Sequence, residues 1–215
     1  MNNSATTVPS PIANGVEAFV RDTYRWFFMN LCGIVALGFA SYYLLPDSSY
    51  YPLAAADAVI WIACGWFGWR RPIALTMPLF TLITGLFLGK LASHYSPQTF
   101  ALASLLSVFT FSGLSLFVHV TKQSFSFLRG FLVVSFWVLI GGCILLPLTG
   151  IRPSTVALTG FGVIVFACWV LYDTSNIIKR ADDELTAPVA ALELLLDIVG
   201  LHRWVSNLLN SRSDD

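Results

Sequence analysis

The chain has 215 residues; 56% of them are aliphatic, aromatic or cysteine, only 11% are charged, and 12 basic side chains balance 12 acidic ones. A soluble domain is about 45–50% apolar and about 25% charged; so few ionic groups cannot tile a surface facing water, whereas lipid accommodates such a surface. This excludes a soluble enzyme and a disordered chain, and a net charge of zero leaves no basic stripe for a nucleic acid. The composition describes an integral membrane protein.

Residues Met1–Ser10 are polar and lack a basic stretch followed by an apolar core. No cleaved signal peptide is expected, and the first hydrophobic helix would direct insertion. A spanning helix needs about 20 mostly apolar residues. That ruler predicts spans over 26–45, 53–69, 73–92, 99–120, 128–148, 156–178 and 187–209. The breaks carry turn chemistry, as in Pro46-Asp47-Ser48-Ser49, Arg70-Arg71-Pro72 and Ser93-His94-Tyr95-Ser96-Pro97. Short connections make neighbouring helices antiparallel. The reading is all-α and polytopic: a polar cytoplasmic tail over 1–25, seven transmembrane helices within 26–209, and a short polar tail over 210–215.

Arg21, Arg25, Arg70, Arg71, Lys122, Arg129, Lys179 and Arg180 share one side of this topology, and Lys90, Arg152, Arg203 and Arg212 the other. Counting Lys and Arg therefore puts the N-terminus in the cytoplasm. Glu193, Asp197, His202 and Arg203 interrupt the last span, so six spans with a re-entrant final segment is the alternative. Cys32, Cys64, Cys143 and Cys168 stand alone in apolar runs and read as small buried hydrophobes. Gly85, Gly89, Gly141, Gly142, Gly160 and Gly162 read as helix-packing positions. Tyr24, Trp26, Tyr42, Tyr43, Tyr50, Tyr51, Trp66, Trp69 and Trp204 fall near span ends and read as an interfacial belt.

An ionisable group within a span costs about 2.5–3.5 kcal/mol and marks a functional position. Asp173 lies ~9 Å along its helix from Lys179, and Asp197 ~15 Å from Ala187, at 1.5 Å per residue. Their helices are consecutive and antiparallel, so the two carboxylates can meet. Glu193 shares the face of Asp197, and Asn176 is three residues beyond Asp173. Two carboxylates side by side cannot both ionise cheaply and tend to share a proton. Protonated, the pair bridges two helices; deprotonated, it repels or recruits a cation. Ca²⁺ wants six to eight oxygens, of which these residues provide part. The structural alternative pairs each acid with a base near the interface, Arg70 and Arg71 being candidates. Asp57, in the second span, is either an interior polar contact or a pathway residue. His94 and His119 read as interfacial, and His202 with Arg203 as snorkelling toward the outer surface.

At these residues the sequence resembles the Bax inhibitor-1 family (transmembrane Bax inhibitor motif proteins), in its bacterial YccA-like branch. The likeness runs from about Val20 to Leu209. It rests on Phe19-Val20-Arg21-Asp22-Thr23-Tyr24, on Phe125-Ser126-Phe127-Leu128-Arg129-Gly130, and above all on Leu171-Tyr172-Asp173-Thr174-Ser175-Asn176-Ile177-Ile178 followed by a helix with Asp197. The resemblance implies six helices around a central seventh. It also implies a pH-sensitive calcium leak channel in which Asp173 and Asp197 act as sensor and latch. It matches Asp57 with Arg70 or Arg71 as a further acid and basic cluster, and it points to a bacterial inner membrane. Some relatives are described instead as modulators of a membrane-anchored AAA protease. The last helix departs from the family pattern LYLDxxNLF: Asp197 is retained, the following Asn and Phe are replaced, and Glu193 and His202 are added.

The leading function is therefore a passive, proton-regulated calcium pathway. No nucleotide motif suggests a pump, and no resident cofactor is expected. An intramembrane protease is disfavoured: Asp197 follows Leu-Leu-Leu where a GxGD is needed, and Ser112-Gly113-Leu114-Ser115 is not GxSG. No enzyme activity is expected. A membrane interaction protein acting through its N-terminal tail is the alternative.

Overall fold

The computed structural model describes residues 11–66, 73–150, 156–179 and 185–211. Within these residues seven α-helices follow one another: α1 (Pro11–Leu44), α2 (Tyr50–Trp66), α3 (Ile73–Ala92), α4 (Pro97–Thr121), α5 (Leu128–Leu148), α6 (Val156–Lys179) and α7 (Ala187–Ser211). No strand occurs among the described residues. The chain is an all-α, polytopic membrane protein.

Among the described residues five helices, α1, α3, α4, α5 and α6, are long and apolar enough to cross a membrane. Their outer faces carry large exposed hydrophobics such as Phe39, Phe109 and Val134. In lipid that exposure has no hydrophobic cost. α7 is different. It packs against α6, α1, α4 and α3, and its buried residues include Asp197, His202 and Ser206. A helix wrapped by others needs no continuous apolar surface, so α7 can hold the charges that interrupt its sequence.

α1 starts well before the span expected at 26–45. Its 34 residues make a helix about 50 Å long at 1.5 Å per residue, against a hydrocarbon core of about 30 Å. The extra turns are amphipathic: Phe19, Thr23 and Phe27 are buried, while Glu17, Arg21, Asp22 and Arg25 are exposed. Part of the expected tail is thus helix that continues the bundle.

α4 illustrates local control of helix ends. Pro97 opens it, Ser96 Oγ accepts the Thr99 N–H at 3.0 Å, and Lys122 closes it in the left-handed region with its N–H on Val118 O at 2.8 Å. At the end carrying the α3–α4 connection, Lys90 is buried. It donates to Leu45 O at 2.8 Å and to Asp47 Oδ1 at 3.0 Å, tying the α1–α2 connection to α3. Beside it, Tyr95 donates to Asn207 at 2.8 Å, and burial pushes its phenol up to about 12, so it remains a neutral donor.

Two glycine contacts set the helix spacing. Gly85 and Gly89 face α1 so closely that a Cβ at Gly85 would lie 2.8 Å from Leu37 Cβ, and one at Gly89 would strike Gly38 O. Between α6 and α7 the contact is reciprocal: Gly162 accepts the Trp204 ring and Gly200 the Phe166 ring. Gly141 and Gly160, read from sequence as packing positions, have open space around them instead. Trp204 and the half-buried Tyr24 point inward rather than joining the interfacial belt. Of the cysteines only Cys64 is buried; Cys32 and Cys143 are exposed and Cys168 is intermediate. Their apolar runs face lipid, so a small apolar side chain is equally at home outside the bundle.

Substituting Gly200→Ala should cost about 1–3 kcal/mol by forcing the Phe166 ring out of its seat. Gly160→Ala, where an added Cβ meets nothing within 4 Å, should not destabilise the protein. Unfolding in detergent micelles distinguishes the two.

Candidate functional site

α7 carries two polar centres. Asp197 is in the half nearer the α6–α7 connection, and Arg203 stands six residues, or ~9 Å, further along. Each meets an acid from another helix.

At the first centre, Asp173 of α6 and Asp197 of α7 are both buried, at 7% and 3% exposure, and their carboxyl groups are within hydrogen-bonding reach. Asp197 Oδ2 has no hydrogen-bond partner among the described residues. Glu193, one turn away on α7 and half-buried, acts electrostatically on both aspartates. Neighbours fix the α6 side. Thr174 Oγ1 is 3.4 Å from Ser115 Oγ of α4; Ser175 Oγ donates to Tyr172 O at 2.8 Å and accepts the Phe125 N–H at 3.3 Å. Asn176 is half-buried one turn on, without a hydrogen bond to either aspartate among the described residues.

The second centre corrects the expectation that His202 and Arg203 snorkel toward the outer surface. Asp57, fully buried on α2, is engaged by Arg203 of α7: Nη1 to Oδ2 is 2.7 Å. Thr84 Oγ1 of α3 donates to the other carboxylate oxygen at 2.8 Å. The guanidinium also lies 5.4 Å from the Trp61 ring centroid and 4.9 Å from that of Phe87. Arg203 therefore turns inward rather than snorkelling, because α7 runs through the bundle and its nearest anion is on α2. Asp57 is matched to Arg203 among the described residues; Arg70 and Arg71, expected to go with it, lie outside them. His202 is also buried, edge-on to Phe100 with centroids 4.8 Å apart. His94 is exposed, as expected for an interfacial residue, whereas His119 is half-buried with its ring 5.5 Å from Tyr24.

Sequence reading missed Arg203, Thr84, Ser115 and Thr174 as parts of these centres. The available signal was a small hydroxyl on a helix face opposite an intramembrane acid. Among the described residues, no three His, Cys, Asp or Glu side chains converge closely enough to hold a metal ion. Two facing carboxyls can share a proton or contact a passing cation, but they fall short of the six to eight oxygens of a calcium cage.

The sequence model of the family described as inhibitors of apoptosis-promoting Bax1 matches residues 16–214, a stretch that includes both centres. The chain belongs to the Bax inhibitor-1 family. Among its relatives is Bax inhibitor 1 of the fission yeast Schizosaccharomyces pombe, 38% identical over 136 residues, which are 61% of this chain and 49% of that protein. An uncharacterized protein of Campylobacter jejuni is 28% identical over 91% of this chain and 89% of its own length. The Golgi anti-apoptotic protein of vaccinia virus is 28% identical over 60% of this chain and 54% of that protein. The chain thus spans about half the length of the yeast and viral relatives.

The Asp57–Arg203 pair makes a stability prediction for this Bax inhibitor-1 family member. Arg203→Met leaves a buried carboxylate uncompensated and should cost about 2–3 kcal/mol, less than a fully dry pair because the Arg203 side chain is 28% exposed. Combining it with Asp57→Asn should recover part of that loss. A double-mutant cycle in detergent reads the coupling.

Proposed function

We propose that this protein is a passive, proton-regulated cation pathway, with calcium as the ion, closed in the conformation described here. The observation that carries the reading is the burial of Asp173 against Asp197 between α6 and the central α7. With one proton between them, one carboxyl donates to the other and holds α6 to α7. Without it, two negative charges ~4 Å apart repel by about 4 kcal/mol at an effective dielectric of 20. Separation, or capture of a hard cation completed by Glu193 and water, relieves that repulsion. The Arg203 guanidinium, paired with Asp57, neutralises the buried carboxylate further along, so this centre offers a cation no uncompensated negative charge in the closed state.

In this reading the α6–α7 connection is cytoplasmic, by the Lys and Arg count, and the membrane is a bacterial inner membrane. The protein uses no catalytic chemistry and needs no resident cofactor; calcium and protons are what it passes and senses. Modulation of a membrane-anchored AAA protease is the alternative, and the charged face of the early turns of α1 would serve it.

Calcium entry into proteoliposomes across pH 6 to 8 tests the pathway. Flux should rise as pH rises through the titration of the pair, since deprotonation opens it. Asp173→Asn or Asp197→Asn should make flux insensitive to pH. Well-folded wild type with no flux above empty vesicles at any pH would sink the channel and leave partner binding as the better account.

A further inference from the structure

Asp173, Thr174 and Ser175 follow one another on α6 and are all buried, at 7%, 0% and 1% exposure. Successive residues of an α-helix point about 100° apart, so the three side chains cover more than half of its circumference. Each meets a different neighbour. Asp173 faces Asp197 of α7. Thr174 Oγ1 is 3.4 Å from Ser115 Oγ of α4, and Ser175 Oγ accepts the Phe125 N–H of the α4–α5 connection at 3.3 Å. Three consecutive polar positions thus seat one level of α6 against α7, α4 and that connection. α4 packs against both α6 and α7, so fixing α6 to α4 also fixes it relative to α7.

The α4 side of this collar is itself supported. His119 Nδ1 donates to Ser115 O at 2.8 Å, and the His119 ring packs on Tyr24 of α1 with centroids 5.5 Å apart. The Tyr24 phenol stands beside both hydroxyls and has no hydrogen bond of its own among the described residues. Ser175 Oγ also donates to Tyr172 O at 2.8 Å, which fixes its orientation. Among the described residues, the charged groups that act on the aspartate pair are its own two members and Glu193, all acids. Cys143 of α5 belongs to the half of the bundle near Arg203. No opposite charge among these groups draws Asp173 onto Asp197. The restraint comes from the neutral contacts of the two residues that follow it.

We propose that Thr174 and Ser175 are positioning residues for the Asp173–Asp197 pair: by anchoring α6 to α4 and to the α4–α5 connection, they hold Asp173 in contact and set the pH at which the pair separates. The inference rests on the proton-sharing reading of that pair. Two ionised carboxyls kept in contact repel strongly, and the repulsion falls as they draw apart. Loosening the anchor makes loss of the shared proton less costly, so the transition moves to lower pH.

The test is an infrared titration of the full chain in liposomes, reading the C=O stretch of protonated carboxyls, a signal independent of ion conduction. Loss of the band in Asp173→Asn assigns it. Thr174→Val keeps the shape and removes the hydroxyl, and Ser175→Ala does the same for its neighbour. Each should lower the midpoint of the band by about 0.4–1 pH unit, the shift that one lost hydrogen bond produces. Thr174→Ser should restore the wild-type midpoint. Ser115→Ala removes the α4 partner without touching α6 and should shift the midpoint the same way, so the test stands even where Thr174→Val does not fold. Variants that lose unfolding stability but keep the wild-type midpoint would overturn the proposal. Wild type without any titrating carboxyl band would instead overturn the proton-sharing pair, and this inference with it.

Discussion

The architecture depends on the burial of one polar helix. α7 brings Glu193, Asp197, His202 and Arg203 into a bundle whose other helices have surfaces suited to lipid. Each such group facing hydrocarbon would cost about 2.5–3.5 kcal/mol on insertion scales. Surrounding α7 with α1, α3, α4 and α6 removes that exposure and supplies partners. The close contacts follow from the same need. Gly85 and Gly89 let α3 settle onto α1, and the paired seats of Phe166 on Gly200 and Trp204 on Gly162 bring α6 against α7.

The two acid centres differ in kind. Asp57 and Arg203 form a charge pair with Thr84 on the remaining carboxylate oxygen, and a guanidinium keeps its charge at any physiological pH. Asp173 and Asp197 have the same sign, so their contact requires a proton. In the proposed reading one centre is permanent and the other conditional. The ring-in-glycine seats involve Gly200 and Trp204, which bracket Arg203 on the permanent side. α7 is therefore firmly gripped at one end, while at the other it meets α6 through two buried acids of like sign.

Much of this was legible in the sequence. Apolar runs of the right length predicted the helices, and the fixed rise of an α-helix put Asp173 and Asp197 at depths where they could meet. That argument works because α6 and α7 are joined by a short connection. It fails for Asp57 and Arg203, which are 146 positions apart, on helices whose proximity no local pattern encodes. Snorkelling seemed the natural fate of Arg203 only because α7 was treated as having a lipid-facing side. The early turns of α1 were legible in principle, since Phe19, Thr23 and Phe27 recur every fourth residue, but the charges between them read as a tail. The cysteines show a different limit: in lipid, an apolar run does not say which of its residues face inward.

A polar centre of this kind cannot be assembled from one part of the chain. Asp197 meets Asp173 from α6, Arg203 needs Asp57 from α2, which also accepts from Thr84 of α3, and the approach of α3 to α1 needs Gly85 and Gly89. Removing α2 would leave Arg203 without its counter-charge in hydrocarbon, where neither water nor a mobile ion replaces it cheaply. The family match from residue 16 to residue 214 runs through all of the contributing helices, as this mutual dependence requires. The alignment with the yeast relative covers 61% of this chain. It must therefore leave part of this interdependent set unaligned, so that relationship alone cannot carry the chemistry of both centres from one protein to the other.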